Sequence, residues 1–279
     1  MVGRHGVAYG LLGHGIRCAS YSSEVLIARL MLANGMFRDK NVERIDGVAL
    51  NAIEIEERRR TFWGVYHLDA VLSLMLGRPP SFSESDIACD SPLSIDDSKI
   101  TLDGILPDEI EEEVVTYAHH SLQTLTQQFR KIYNELYSTE ATMHRSQENL
   151  AVSIYNTDLD LSGWRASQPV EYRPFMSGEN PEIFQGASAM QVYFSVAYYY
   201  CQCLIHRPAL LEELMNSEPW HQEQTTGAVS PSEHRSSLRS PLFGPGADTL
   251  STYADRCVVA ARDLIRLLQS VLMTTILFP

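Results

Sequence analysis

Several groups of residues have types and spacings that invite a chemical reading. Cys201 and Cys203 flank Gln202, whereas Cys18, Cys89 and Cys257 are scattered. Paired zinc ligands usually stand roughly two to four residues apart and need a second pair, which this sequence lacks. An odd number of widely spaced cysteines argues against a disulfide framework and for a reducing compartment, so all are read as ordinary buried thiols. His119 and His120 are adjacent, and neighbouring helical side chains point about 100° apart, a poor geometry for chelation. Asp96 and Asp97 lack the further carboxylate that a magnesium site wants. His5, Gly13 and His14 form no nucleophile turn, and no glycine-rich phosphate loop follows a strand. No catalytic, cofactor or metal residue is expected from these groups.

The sharpest segment is Glu54-Ile55-Glu56-Glu57-Arg58-Arg59-Arg60-Thr61-Phe62-Trp63. Acidic residues precede basic ones by four places, Glu54 before Arg58 and Glu56 before Arg60, which supports a helix by about 0.2–0.5 kcal/mol per pair. The triplet is therefore partly neutralised, which weakens a nucleic-acid reading of Arg58 to Arg60. Beyond it the helix is apolar nearly all round and belongs in the core from Arg59 to Leu76. Asp69 falls on the stripe of Phe62 and Tyr66. A carboxylate there must be paired or hydrogen-bonded. It reads as a catalytic acid or as a structural ion-pair partner; the structural role is favoured because no histidine or second carboxylate shares its stripe. Arg78 and Arg207, each just before a proline, are the expected partners.

These residues need helices to position them, and helical periodicity dominates the chain. Ser22 and Ser23 are placed to cap a helix that Gly35 ends. A second helix runs from near Glu54 to Leu76, where Gly77 permits a left-handed stop and Pro79 and Pro80 forbid continuation. A loop of Ser, Asp and Pro follows, about 81–107. A long helix carries Ile110, Val114, Tyr117, Leu122, Leu125, Phe129, Ile132 and Leu136 at helical spacing. The acidic residues from Asp108 to Glu113 suit its N-terminal dipole or an activator-like patch; the dipole role is favoured. Helices are also expected over 150–169, ending in Trp164, over 185–206, stopped by Pro208, briefly from Leu210 to Met215, and over 249–278, with Cys257, Val258, Ala261, Leu264, Ile265 and Leu268 on one stripe. The segment 217–248, polar and rich in Pro, Ser and Gly, is expected to be a mobile insertion. No β-hairpin dipeptide flanked by alternating runs is evident. The expectation is an all-α, irregular multi-helix fold in one domain spanning 1–279.

The formal charge is −13 on 279 residues, with 44% apolar and 20% charged residues. That composition is globular, and its acidic balance, with lysine only at 40, 99 and 131, argues against a broad phosphate-binding surface. Glycines interrupt the weakly apolar N-terminus, so it is not read as a signal peptide. No run reaches the roughly 18 apolar residues of a membrane span. The chain reads as soluble and intracellular. Its apolar ending, Ile276-Leu277-Phe278-Pro279, suggests a fragment of a longer protein.

The run EIEERRRTFWGVYHLDAVLSLMLGRPPSFSESDI resembles the fungal-specific transcription factor domain, the middle homology region of fungal binuclear zinc cluster regulators. The residues that carry the likeness are Arg58, Arg59, Arg60, Phe62, Trp63, Tyr66, Asp69, Gly77, Arg78, Pro79 and Asp86, with Ile87 and Pro92 after them. Further segments agree in order: IARLMLANGMFRDK, LDLSGWRASQP, YYYCQCLIHRPAL with Arg207 and Pro208, and CVVAARDLIRLL. Met36-Phe37 stands where the family usually has Leu-His, and residues 1–21 match nothing in it. The resemblance implies a nuclear regulatory domain, with transcriptional co-regulators or its own DNA-binding domain as partners. DNA is engaged only indirectly, no membrane is involved, and a homodimer is allowed. The family's six-cysteine cluster, which binds two zinc ions, has no counterpart in this sequence, so zinc is expected only in a separate DNA-binding domain. The competing classes are an all-α scaffold and, less favoured, an all-α enzyme.

Overall fold

The computed structural model describes residues 21–38, 44–45, 48–93, 95–106, 114–143, 145–176, 187–217 and 250–277. Of these, 75% are helical, as the all-α reading requires. The expected insertion at 217–248 lies outside the described residues apart from Ser217, as does the acidic run from Asp108 to Glu113. The chain falls into two compact units, Met1–Ser138 and Thr139–Pro279, and each is described by itself.

The first unit opens with α1 (Tyr21–Ala33). Ser22 and Ser23 therefore lie in its first turn rather than at its cap. Gly35 adopts φ 63° and turns the chain out of the helix, as expected. Two short antiparallel strands follow, β1 (Arg44–Ile45) and β2 (Val48–Ala49). Next comes α2 (Ala52–Leu76). It starts two residues earlier than the charge pattern suggested, because Asn51 forms a capping box with Glu54. The Asn51 side chain accepts from the Glu54 amide at 3.0 Å, and the Glu54 carboxylate accepts from the Asn51 amide at 2.9 Å. Glu54 is thereby diverted from its expected pairing with Arg58. At the far end Gly77 is left-handed (φ 63°) and the Arg78 amide donates to the Ser73 carbonyl at 2.9 Å.

The loop after Gly77 holds short 3₁₀ turns at Glu84–Asp86 and Asp97–Lys99 and a second tiny hairpin, β3 (Ile100–Thr101) with β4 (Gly104–Ile105). Leu102-Asp103 supplies its turn, and Gly104, at φ 137°, opens β4 opposite Thr101. The hairpin was missed because the flanking runs are only two residues long. The unit closes with α3 (Val114–Ile132), which continues as a π-helical turn, Tyr133–Tyr137. Leu125, Phe129, Ile132 and Leu136 are all buried, as their spacing predicted. Ala28, Met31, Phe62, Tyr66, Phe82 and Cys89 form one core cluster. The last turn of α2 departs from the core reading: Met75 and Leu76 are about half exposed.

The second unit comprises the short α4 (Thr139–Thr142), then α5 (Gln147–Ser167), α6 (Ala189–Ser217) and α7 (Leu250–Leu277). Leu150, Ile154, Leu161 and Trp164 line the buried side of α5, and Trp164 meets Phe194 of α6 edge-on at 6.0 Å. Pro208 does not stop α6, which runs unbroken to Ser217. Proline removes one helical hydrogen bond, but α6 is anchored on both sides of it. Leu204, Ile205 and Ala209 are buried, and the Cys257 thiol donates to the Cys203 carbonyl at 3.4 Å. On α7 the buried stripe is Tyr253, Cys257, Ala260 and Leu267. Val258, Ile265 and Leu268, expected to share the stripe, are exposed. The apolar pattern of α7 is broad enough that periodicity left the orientation a fraction of a turn off.

Candidate functional site

The arginine triplet fastens α2 to three places. The Arg58 guanidinium donates to the Asn34 carbonyl at 3.4 Å, holding the end of α1. Arg59 pairs with Asp90 at 3.3 Å, and the Trp63 indole donates to the Asp90 carbonyl at 2.8 Å. Arg60 bonds Glu56 at 2.7 Å and Asp97 at 2.6 Å. Glu56 also accepts from the Leu93 amide at 2.9 Å. Burial pushes the Glu56 carboxyl up, opposed by Arg60. For Arg60, burial acts downward, but its bonds to Asp97 and Glu56 prevail and raise it. The triplet is thus consumed by the fold. Phosphate binding wants basic charge that is not already paired.

Asp69 is wholly buried. Both its oxygens accept from the Ser81 amide at 3.0 Å. Its ionic partner is Arg130 of α3, with Nη1 4.0 Å away, and not the expected Arg78 or Arg207. Gly77 turns the chain so that Arg78 is exposed, and Arg207 is exposed on α6. Arg130 also donates through Nε to Glu84 at 2.8 Å and through Nη2 to the Phe82 carbonyl at 2.7 Å. It lies 5.0 Å from the Tyr66 ring centre, and the Tyr66 hydroxyl donates to Glu84 at 3.3 Å. Burial, more than Glu84, pushes the Tyr66 phenol above its ordinary range. One guanidinium therefore ties α2, α3 and the loop at 81–84 together. Asp86 is exposed on the adjoining turn, and Pro79 is exposed at the helix exit. Arg207 and Pro208 belong to the second unit and have no part in this network.

A third buried group was missed in the sequence. His67 is 1% exposed, and its Nδ1 lies 2.6 Å from the Thr126 hydroxyl oxygen. That hydroxyl gives its hydrogen to the Leu122 carbonyl at 2.7 Å, so it accepts from His67 Nδ1. Burial lowers the imidazole to about 3, too low for proton transfer near neutrality. Arg130 and Thr126 carry a recoverable signal. Both are polar residues set among Leu125, Phe129 and Ile132, on the face that this spacing buries.

The other chemical candidates are dispersed. Asp96 caps a 3₁₀ turn by accepting from the Ser98 amide at 2.7 Å, and Asp97 is held by Arg60. His120 is exposed. Burial pushes Cys201 up, and pushes Cys203 up to about 11, leaving thiols rather than thiolates. Among the described residues no three His, Cys, Asp or Glu side chains are grouped to hold a metal ion, and no helix is long and apolar enough to cross a membrane. His5, Gly13 and His14 lie outside the described residues.

Residues 19–166 match the family model described as the fungal specific transcription factor domain. An ABC-transporter-regulating transcription factor of Aspergillus fumigatus is 30% identical over 174 residues, covering 59% of this chain and 18% of its own length. The activator of stress genes 1 of Saccharomyces cerevisiae is 28% identical over 172 residues, 60% of this chain and 17% of its own. The transcriptional activator protein acu-15 of Neurospora crassa is 24% identical over 166 residues, 60% of this chain and 17% of its own. The chain thus spans less than a fifth of the length of these relatives. No solved structure matches it.

Proposed function

Because the chain belongs to the fungal specific transcription factor domain family, we propose that it is the regulatory domain of a nuclear transcription factor and acts through protein contacts. The observation that carries this reading is the family match over residues 19–166, which includes α2, whose arginines are spent on folding. Each is bonded to a carboxylate or a carbonyl of the same unit, so the most basic segment of an acidic chain offers little to DNA. On this reading DNA is engaged through a zinc cluster domain elsewhere in the protein, and zinc is bound there. Its contacts are co-regulators or that DNA-binding domain. On this reading the chain is a regulator and not an enzyme, which is supported by the regulators' names of its relatives and by the packing of its buried Asp69 and His67 against Ser81, Arg130 and Thr126.

The test is to fuse the chain to a foreign DNA-binding domain and read a reporter in fungal cells, with zinc and DNA binding measured on the isolated chain. Changed reporter output, with neither zinc nor specific DNA bound, is expected. Stoichiometric zinc, tight specific DNA binding at physiological salt, or an unaltered reporter from a folded fusion would overturn the proposal.

A further inference from the structure

Ser91-Pro92 is the one Ser-Pro or Thr-Pro pair among the described residues; Ser230-Pro231 and Ser240-Pro241 lie outside them. Proline has no amide hydrogen and keeps the residue before it out of the helical region. Ser91 is therefore held extended, and it is exposed. The run that leads to it is shaped by a parallel bridge between Arg38 and Ala88, with the Ala88 amide donating to the Phe37 carbonyl at 2.8 Å. Side chains of α2 grip the chain on either side of the pair. Trp63 bonds the Asp90 carbonyl, Arg59 pairs with the Asp90 carboxylate, and Glu56 accepts from the Leu93 amide.

Among the described residues the Ser91 hydroxyl makes one bond, donated to the Gln123 side-chain oxygen of α3 at 3.1 Å. Ser91 and Gln123 both line an open groove between this loop and α3. Nearer the Glu84–Asp86 turn the same two elements are tied by Arg130, through Glu84 and Phe82. The loop is thus fastened to α3 by a buried guanidinium at 82–84 and by a single neutral hydroxyl bond at 91. Other hydroxyls lack this combination. Thr61 follows the arginine triplet, yet it lies inside α2 with its hydroxyl given to the Glu57 carbonyl at 2.6 Å. Ser83 and Ser85 bond each other at 2.7 Å, and no proline follows either.

We propose that Ser91 is the acceptor of a proline-directed protein kinase, and that its phosphorylation releases the loop at 87–93 from α3. In the transfer a bond forms between Ser91 Oγ and the terminal phosphorus of a nucleoside triphosphate. The bond from that phosphorus to its bridging oxygen breaks, and the nucleoside diphosphate leaves. The hydroxyl proton passes to a carboxylate of the kinase. The phosphoester oxygen then has no hydrogen to give Gln123. The group carries a charge of about −1.5 to −2, beside Asp90 and opposite a side-chain carbonyl oxygen, while Arg59 is already engaged by Asp90. Arg130 keeps its hold at 82–84, so the loop opens locally and the unit stays folded. The inference stands apart from the regulatory reading, because it is read on the purified chain without any reporter.

The test incubates the full 279-residue chain with ATP, Mg2+ and a purified proline-directed kinase of verified activity, and assigns the modified sites by tandem mass spectrometry. Ser91 is expected to be modified in the folded chain, and Pro92→Ala to slow that modification. Hydrogen exchange at 87–93 should then quicken about fivefold, the effect of one lost neutral hydrogen bond, with the turn at 82–84 unchanged. Gln123→Ala, which removes the same bond, should quicken the same segment without phosphate. A folded chain left unmodified at Ser91 overturns the proposal, and modification of a synthetic peptide of residues 86–96 by the same kinase would then assign the failure to the fold. Equal rates at Ser91 in the wild type and Pro92→Ala would overturn the class of kinase. Exchange at 87–93 that is unchanged or slower in the phosphorylated chain would overturn the release.

Discussion

Lowering the pH from 7.5 to 5.0 is expected to destabilise the fold through His67. In the unfolded chain this imidazole takes up a proton near its ordinary value of about 6.5. In the folded chain it does not do so until about pH 3, because it is completely buried. The unfolded state therefore binds more protons throughout this window. Stability rises with pH there, and it is lost as pH falls through 6.5 towards 3. One pH unit corresponds to about 1.4 kcal/mol, so the step from pH 7.5 to 5.0 removes about 2 kcal/mol through this one residue. Urea unfolding followed by circular dichroism, at both pH values, measures it. His67→Gln keeps a donor near Thr126 but cannot titrate. Its stability should fall less between the two pH values than that of the wild type, by about 2 kcal/mol. Equal losses in the two proteins would show that His67 titrates normally, and would refute the buried, neutral assignment.

Other outcomes follow from the same network and caps. Arg130→Ala leaves the Asp69 carboxylate buried with only the Ser81 amide; a loss of about 3–5 kcal/mol is expected, read as a large drop in urea midpoint, and an unchanged midpoint would mean that Asp69 is solvated. Gly77→Ala should cost about 1–2 kcal/mol for its left-handed backbone, with no steric addition, since a Cβ there would meet nothing within 4 Å; thermal melts of the two proteins check this. Asn51→Ala breaks the capping box and should cost about 1 kcal/mol, with amide exchange accelerated in the first turn of α2 and not at its Gly77 end.

The sequence disclosed most where local physics is sufficient. The left-handed stops at Gly35 and Gly77, the buried row from Leu125 to Leu136 and the burial of Asp69 all follow from spacing and backbone freedom. It disclosed less where two distant segments compete for one group. Glu54 had two plausible partners, and the capping box with Asn51 prevailed over the ion pair with Arg58. Asp69 needed a cation, and nothing in its neighbourhood identified Arg130, sixty-one places along the chain. Pro208 showed the converse: a strong local signal for a helix end was overridden by packing on both sides of it. The extended run at 87–91 was not legible, because its form depends on the distant Arg38–Ala88 bridge. The family resemblance was readable from the same α2 residues that hold the unit together, which is why its motif looked chemical while serving structure.

The central claim, that this folded domain regulates transcription through protein contacts, is tested most directly by the tethered reporter in fungal cells, measured for the wild type beside Phe62→Ala. Phe62 is fully buried, and its truncation should remove about 3–5 kcal/mol, so the variant reports what the same chain does when its core is broken. The expected result is a reporter level that differs from that of the DNA-binding domain alone in the wild-type fusion, and that reverts towards it in Phe62→Ala at matched protein abundance. A wild-type fusion that is folded and abundant yet leaves the reporter at the level of the DNA-binding domain alone, across growth conditions, would contradict it.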